Sequence, residues 1–210
     1  SVQKVVVKAV EAMTWLQEAS SLLASQTDTM GNALPTYWVT PAGFPVKQEY
    51  HKTEMRQVKL ALGTSVMIHA EDTTGGKLDN TKGIFWPAIG RDIPGTIDKR
   101  KQRQGIAPNF VHSMDASHLM LTVNACVSKG IHSFAMIHDS YGTHAGNAGV
   151  LFKTVREVFV DTYKNHDVLQ DLHDHVLNML SERSARELHE IPSKGTLNLD
   201  LVKESAYAFA

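Results

Sequence analysis

Three consecutive polar residues, His138, Asp139 and Ser140, stand between an apolar segment at residues 134–137 and the segment Tyr-Gly-Thr-His at residues 141–144. The pattern predicts a strand, a tight turn and a second strand. A carboxylate at such a tip costs free energy if it is buried without a partner. Asp139 is therefore either solvated at the turn or neutralised by a cation, and one carboxylate alone is too few for a two-metal site.

A second group of polar residues lies in the predicted helix around residues 109–118. His112, Asp115 and His118 follow one another at intervals of three, so neighbouring members share a helix face. They could bind a metal, face a ligand or form a buried polar network, and the residue types alone favour the network. His173 and His175 are two apart, point to different faces of a helix, and are predicted to face solvent.

Composition describes an ordinary folded protein. The chain has 210 residues, a formal net charge of −1, 42% hydrophobic residues and a single cysteine, Cys126. No apolar run is long enough to span a membrane, so we expect a soluble, intracellular protein in a reducing compartment. The near-neutral charge does not itself mark a nucleic-acid binder.

The one clearly basic segment is short. Lys99, Arg100, Lys101 and Arg103 could meet phosphates, or they could form the solvated face of a helix. Both interpretations stay open from the residue types.

The helices that position these groups follow from apolar spacing and capping residues. A long helix over residues 2–23 packs by a stripe that includes Met13 and Leu16. A short polar helix ends at Gly105, and a separate helix begins with Asn109 as its N-cap. The full set of predicted helices covers residues 2–23, 98–104, 109–129, 147–163 and 167–183.

The strands are predicted as antiparallel hairpins packed on these helices, which makes the fold class α+β. A hairpin spans residues 37–50, and a further strand lies within residues 54–70. Residues 67–97 are rich in Gly and Pro and predict an extended hairpin or long loop. The chain thus divides into residues 1–66, the projecting segment 67–97, and a core of residues 98–210.

Several motifs resemble the last quarter of phage-type single-subunit RNA polymerases. In chain order they are Trp-Val-Thr-Pro with Gly-Phe-Pro-Val and Gln-Glu-Tyr at 38–50, Gly-Ile-Ala-Pro-Asn-Phe-Val-His-Ser at 105–113, Ser-His-Leu at 117–119, and Ile-His-Asp-Ser-Tyr-Gly at 137–142. Their order and approximate spacing agree with that family. The ends of the chain, including Phe209-Ala210, are similar too.

The resemblance implies a right-hand polymerase in which this chain contributes part of the palm and fingers. Asp139 matches an aspartate that binds Mg²⁺, and His138 matches the neighbouring histidine near the RNA 3′ end. His112 matches a histidine that faces the minor groove of the newly formed base pair. The expected reaction is template-directed nucleotidyl transfer by a two-metal mechanism.

The projecting segment 67–97 lies where the family inserts its promoter-specificity hairpin into the major groove. Its residues do not align with those of better-known members. Arg91, Lys99, Arg100 and Arg103 are assigned to nucleic-acid binding from their donor chemistry alone.

The resemblance also implies parts that this sequence lacks. They are the first catalytic aspartate, the nucleotide-binding fingers helix, the thumb and the N-terminal promoter domain. We therefore expect this chain either to join an upstream polymerase chain as a subunit or to be a C-terminal fragment of one, active only with that upstream part. Its other expected partners are promoter and template DNA, NTPs and the RNA product. The expected location is the cytoplasm of a phage-infected cell, and Ser1 is compatible with processing, splicing or a longer precursor.

Two other functions are compatible with these residues. An A-family DNA polymerase also places His-Asp at this turn, and a ribonucleotide preference would separate the two. A non-catalytic DNA-binding module would use the projecting segment and the basic residues, and it would be indifferent to Asp139→Asn.

Overall fold

The computed structural model describes residues 6–57, 88–137 and 140–205. Helices and small antiparallel sheets alternate along this part of the chain, which confirms the α+β class. The elements are α1 (Val7–Leu23), β1 (Thr36–Val39), β2 (Pro45–Gln48), β3 (Thr53–Gln57), β4 (Ala88–Asp92), α2 (Lys99–Ser128), β5 (Ala135–Ile137), β6 (Ser140–Gly142), α3 (Ala148–Asn165), α4 (Val168–Met179), α5 (Glu182–Ala185) and α6 (Leu201–Glu204).

Each strand pairs with a single neighbour among the described residues, giving sheets β1–β2, β3–β4 and β5–β6, all antiparallel. The predicted hairpin at residues 37–50 is present as β1–β2. β3 and β4 bracket residues 58–87, which lie outside the described residues. The domain division and the promoter-specificity interpretation of residues 67–97 therefore stay predictions.

α2 is one continuous helix of 30 residues, so the predicted break between two helices is wrong. Its N-cap is Asp98, whose side chain accepts hydrogen bonds from the backbone N–H groups of Arg100 at 3.0 Å and Lys101 at 3.1 Å. The predicted end is nearly right, since Gly130 follows the helix with φ +85°. A single long helix therefore joins the basic run to the residues around His118.

Gly105 and Asn109 serve long-range packing instead of ending and starting helices. A Cβ atom at Gly105 would lie 2.6 Å from Cε2 of Tyr50, so glycine lets the Tyr50 ring approach α2. The Asn109 amide donates hydrogen bonds to Gln48 at 2.8 Å and to the Tyr50 hydroxyl at 2.9 Å. Pro108 lies inside the helix on its exposed side, where the carbonyl group that it leaves without a donor faces outward.

The main core lies between α1, α2, α4 and the β1–β2 hairpin. Trp38 is 2% exposed, and its ring centroid lies 5.7 Å from that of Phe110 on α2. The buried members are Trp15, Leu16, Ala19, Leu23, Trp38, Ile106, Phe110, Met114, Leu172 and Val176. Leu16 belongs to the stripe predicted for α1, but Met13 is exposed, so the buried face is rotated towards Trp15 and Ala19.

A smaller core joins the C-terminal half of α2 to α3. It consists of Cys126, Ile131, Leu151 and Val155, and Phe134 and Tyr141 of the β5–β6 region pack against it. Cys126 is fully buried, as its apolar neighbours predicted.

α3 and α4 begin close to where the apolar stripes predicted, but α4 ends earlier, at Met179. The prediction that His173 and His175 face solvent is wrong. The His173 ring lies 6.1 Å from that of Trp15, and the His175 ring lies 5.2 Å from that of Tyr37.

Across the described ranges, no helix is both long and apolar enough to cross a membrane.

Candidate functional site

The β5–β6 hairpin carries the polar triplet singled out from the sequence. Ile137 pairs with Ser140 and Met136 with Tyr141. The two intervening residues, His138 and Asp139, lie outside the described residues, so their assignment to catalysis and metal binding stays a prediction. The strand ends next to them are open, since Ile137 is 69% exposed and Ser140 is exposed.

A buried histidine connects this hairpin to two helices. The Tyr141 hydroxyl lies 3.1 Å from Nδ1 of His118 on α2, and Nε2 of the same ring lies 2.9 Å from the Val155 carbonyl on α3. The His118 ring is 5.6 Å from Phe159 in an edge-on arrangement, and Phe159 is 4.8 Å from Tyr163. These aromatic residues attach β6 to α2 and α3.

The partners of His118 determine which ring nitrogen carries the proton. The Val155 carbonyl can only accept, so Nε2 donates to it. In the neutral ring Nδ1 is then an acceptor, and the Tyr141 hydroxyl donates to it. Burial lowers the pKa of His118, although the Val155 carbonyl and the nearby Asp115 carboxylate act in the opposite direction. The geometry and the pKa shift both favour the neutral ring.

The structure separates the three residues that were grouped on the central helix. His118 is buried and hydrogen-bonded, which agrees with the polar network. His112 and Asp115 are exposed on α2, and within the part of the chain that the structure describes neither joins this buried network. The described part of the chain contains no group of three or more His, Cys, Asp or Glu side chains that could hold a metal ion.

The exposed side of α2 therefore presents His112 to the outside. Pro108, His112 and Asp115 occupy neighbouring turns of this side. The exposed ring of His112 has a donor and an acceptor with which to meet a ligand, and its assignment to nucleic-acid binding stays a prediction.

The basic run begins at the N-terminus of the same helix. Lys99, Arg100, Lys101 and Arg103 are all exposed. A cleft of about 540 Å³ between α1 and α2 is lined by Gln17, Ser21, Lys99, Arg100, Arg103 and Gln104.

The electrostatics of the basic run oppose helix formation. Cations in a first turn face the positive end of the helix dipole, and the first turn of α2 contains no acidic side chain. Among the described residues these four cations form no ion pair, and Lys99 donates only to the Ser25 hydroxyl at 3.2 Å. Arg91 is separate from this run, since it lies exposed on β4 opposite Glu54.

Two residues with structural importance for this region were not found from the sequence. Tyr141 was noticed as part of a motif but not as a hydrogen-bond donor. Arg156 is 2% exposed and donates from Nε to the Ser205 carbonyl at 3.1 Å, with its guanidinium 3.4 Å from the centroid of Phe152. Arg156 also donates to the Phe152 carbonyl at 2.9 Å, and apolar spacing on α3 gives no signal for a buried arginine, because its other acceptor, on Ser205, is 49 residues further along the chain.

Comparison with known proteins assigns the family. Residues 1–187 match the DNA-dependent RNA polymerase family. The chain is 42% identical to the DNA-directed RNA polymerase of Enterobacteria phage K11 over 212 residues, covering 98% of this chain and 22% of that protein. It is also 42% identical to T7 RNA polymerase of Escherichia phage T7 over 217 residues, covering 100% and 23%.

A relative with lower identity is also named a DNA-directed RNA polymerase. The mitochondrial DNA-directed RNA polymerase of Homo sapiens is 32% identical over 206 residues, covering 93% of this chain and 14% of that protein. The chain belongs to the DNA-dependent RNA polymerase family, and it spans less than a quarter of the length of the relatives it matches.

Proposed function

We propose that this chain is the C-terminal portion of a DNA-directed RNA polymerase, which contributes part of a right-hand palm and is active only together with the upstream part. Its substrates would be NTPs and a DNA template, and its product RNA. The observation that carries the proposal is the β5–β6 hairpin, whose strands flank His138 and Asp139 in the sequence and whose strand β6 is joined to α2 through Tyr141 and His118. The same helix exposes His112.

In this proposal Asp139 supplies one carboxylate for Mg²⁺, and the remaining acidic ligands come from the upstream part. When bound, Mg²⁺ would neutralise the charge that develops on the reacting phosphate. Hard carboxylate oxygen is the donor that Mg²⁺ prefers, so the residue type fits. Since one carboxylate is too few for a two-metal site, this chain alone is not expected to synthesise RNA.

The remaining side chains of the site would position the nucleic acids. His138 would lie beside the RNA 3′ end, and His112 would contact the minor groove of the new base pair. Minor-groove acceptors vary little with sequence, so a donor at His112 could test pair geometry for every base pair.

The test of catalysis is Asp139→Asn in the polymerase assembled from this chain and its upstream part. We expect RNA synthesis to fall by about a thousandfold, because the stabilisation by a cation is worth several kcal/mol. Binding of promoter DNA should be nearly unchanged. Asp161→Asn, an exposed carboxylate on α3, is the control and should retain activity. Full activity in Asp139→Asn would refute the catalytic assignment.

The basic run is proposed to bind the phosphate backbone. Its cations are unpaired in the described structure and unfavourable for the helix that carries them, which supports a role in binding. Arg100→Ala and Arg103→Ala should each weaken DNA binding and reduce the slope of log K against log salt by about 1. Lys153→Ala, an exposed cation on α3, is the matched control. Equal slopes in all three variants would exclude this surface.

Arg91 and the segment 67–97 are proposed to read the promoter. The β3–β4 pair returns the chain to α2 at the end of this segment, which is compatible with a projecting hairpin. Arg91→Ala should weaken binding of the cognate promoter more than binding of unrelated DNA, and a competition assay measures this ratio. An equal loss on both DNAs would make Arg91 a phosphate contact.

A further inference from the structure

The β5–β6 hairpin, which is proposed to hold a catalytic group, has short strands and few described contacts to the rest of the protein. Its strands contain three residues each, and isolated two-stranded hairpins are marginally stable in water. Phe134 and Tyr141 pack against the smaller core, and Thr143 donates to the Ser133 carbonyl at 2.8 Å. Among the described residues of the two strands, Tyr141 is the one whose side chain forms a hydrogen bond to a helix.

The hydrogen bond from Tyr141 has a fixed direction. Because Nε2 of His118 donates to the Val155 carbonyl, Nδ1 has no proton and the Tyr141 hydroxyl must donate. A flipped ring would lose the Val155 bond, and the Phe159 edge restricts its rotation. His118 is therefore a rigid acceptor, held by α3, for a donor on β6.

Tyr141 is two residues from Asp139 along the chain, a separation of at most about 7 Å in an extended strand. It also pairs with Met136 on the other strand. A shift of the Tyr141 ring would therefore displace both strands near the turn. Groups that orient metal ligands from outside the coordination sphere commonly change metal affinity by about 10-fold to 100-fold when they are removed.

We propose that His118 is a positioning residue, which accepts the hydrogen bond of Tyr141 and thereby holds the β5–β6 hairpin where Asp139 can bind its divalent cation. This inference rests on the proposed function, since it presumes that Asp139 is a metal ligand. It assigns no chemistry to His118 itself.

The first test is Tyr141→Phe in the assembled polymerase, because this change removes one hydroxyl and keeps the ring. Binding of Mn²⁺, followed by electron paramagnetic resonance, is the direct readout. We expect the dissociation constant of Mn²⁺ to rise about tenfold. The Mg²⁺ concentration that gives half-maximal RNA synthesis should rise by a similar factor, while the KM for NTPs at saturating Mg²⁺ stays within about twofold.

Tyr163→Phe is the matched control. Tyr163 belongs to the same aromatic group through Phe159, but its hydroxyl forms no hydrogen bond within the described part of the chain. The variant removes the same atom from the same neighbourhood without touching the bond to His118. We expect it to leave both the Mn²⁺ affinity and the Mg²⁺ dependence within about twofold of the unaltered enzyme.

Two substitutions of His118 separate its two hydrogen bonds. In His118→Gln the amide can reach the position of Nε2 and keep the Val155 bond, but the acceptor for Tyr141 is lost. In His118→Asn the amide oxygen can take the position of Nδ1 and keep the Tyr141 bond. Gln should reproduce the weak Mn²⁺ binding of Tyr141→Phe, and the double variant His118→Gln, Tyr141→Phe should bind no more weakly than either single variant. Asn should bind Mn²⁺ within about threefold of the unaltered enzyme, even if the protein is less stable.

The inference is overturned if Tyr141→Phe binds Mn²⁺ normally, or if Tyr163→Phe weakens binding as much. It is also overturned if His118→Asn and His118→Gln are equally impaired, because the hydrogen bond to Tyr141 would then be irrelevant. Asp139→Asn distinguishes this failure from failure of the proposed function. If that variant loses Mn²⁺ while Tyr141→Phe does not, the catalytic assignment stands and the role of His118 is refuted.

Discussion

Two hairpins pack against α2, and they differ in how much apolar surface they bury there. The β1–β2 hairpin inserts Trp38 into the main core and adds hydrogen bonds from the Trp38 indole to Ser113 at 2.9 Å and from the Ala42 N–H to Ser117 at 2.8 Å. Among the described residues, the β5–β6 hairpin leaves Ile137 exposed and forms one side-chain hydrogen bond to α2, from Tyr141. The first hairpin is held by buried area together with several hydrogen bonds, whereas the described part of the second has a small apolar contact, from Phe134 and Tyr141, beside its hydrogen bond to His118.

Apolar burial and hydrogen bonds differ in how tightly they fix the position of a hairpin. Burial of an aromatic ring supplies several kcal/mol but permits small adjustments of position. A hydrogen bond contributes less to stability, yet it fixes the distance and direction of two groups. A hairpin whose turn is proposed to bind a metal ion benefits more from the second kind of contact. We therefore expect substitutions in β1–β2 to change stability and substitutions in β5–β6 to change function.

The largest expected effect is that of Trp38→Ala. Removal of a buried tryptophan leaves a cavity between α2 and α4 and should lower the free energy of unfolding by about 3–5 kcal/mol. Ile137→Ala in the other hairpin removes an exposed side chain and should cost less than about 0.5 kcal/mol. Urea unfolding of both variants measures the contrast. A cost above about 2 kcal/mol for Ile137→Ala would show that the second hairpin is also held by apolar burial.

A smaller effect is expected for Gln102→Leu, which removes a buried amide beneath the first hairpin. Gln102 donates to the Gln48 carbonyl at 2.6 Å and to Thr36 at 3.2 Å, and it accepts from the N–H of Tyr50 at 3.1 Å. Loss of these bonds leaves buried groups without partners, so we expect a cost of about 2–3 kcal/mol.

Gln104→Leu, on the exposed side of α2, is the matched control for this substitution. It should change the free energy of unfolding by less than about 0.5 kcal/mol. Equal costs at the two positions would mean that the polar network around Gln102 does not fix the first hairpin.

The elements of this comparison were predicted unequally from the sequence. Residues 37–50 contain turn residues between β-formers, so local preferences were enough to place the first hairpin. The continuity of α2 was missed because Gly105 and Pro108 have strong local preferences against a helix interior. Contacts with distant residues override these preferences, since the Tyr50 ring occupies the space beside Gly105, and Ile106 and Phe110 are buried in the core.

The sequence predicted which residue types form the candidate site, but not the packing that positions them. The residue types at 138–140 and the basic run were visible directly, because polar residues in an apolar context stand out. The sequence did not show which of His112, Asp115 and His118 is buried, because equal helical spacing places all three on similar terms. The partner of His118 on α3 is 37 residues away in sequence. No local pattern contains that information.

The anchor of the second hairpin should make stability depend on pH. Burial lowers the pKa of His118 in the folded state below its usual value of 6.5. The unfolded state therefore binds the proton more readily, and the stabilisation present above pH 6.5 is lost as the pH falls towards the folded pKa. Asp115, Tyr141 and Tyr163 face this part of the structure from α2, β6 and α3.

We expect the free energy of unfolding to decrease below pH 6.5 with a slope of at most about 1.4 kcal/mol per pH unit from this one group. His118→Gln has no titrating group at this position and should show a shallower decrease between pH 6.5 and 5. Urea unfolding at a series of pH values gives both slopes. Identical slopes would mean that the ring is equally easy to protonate in both states.

The smallest expected effect on stability comes from one substitution beside each hairpin. The two substitutions should cost the same free energy of unfolding, so any difference in Mn²⁺ binding reports function. Ser113→Ala removes the acceptor for the buried Trp38 indole, and Tyr141→Phe removes the donor to the buried His118 ring. Each leaves one buried group without its partner, so both should cost about 1 kcal/mol. Only Tyr141→Phe should weaken Mn²⁺ binding, since Ser113 supports the hairpin that carries no metal ligand. If Ser113→Ala weakens Mn²⁺ binding as strongly, the metal responds to the general stability of α2, and the two hairpins do not differ in function.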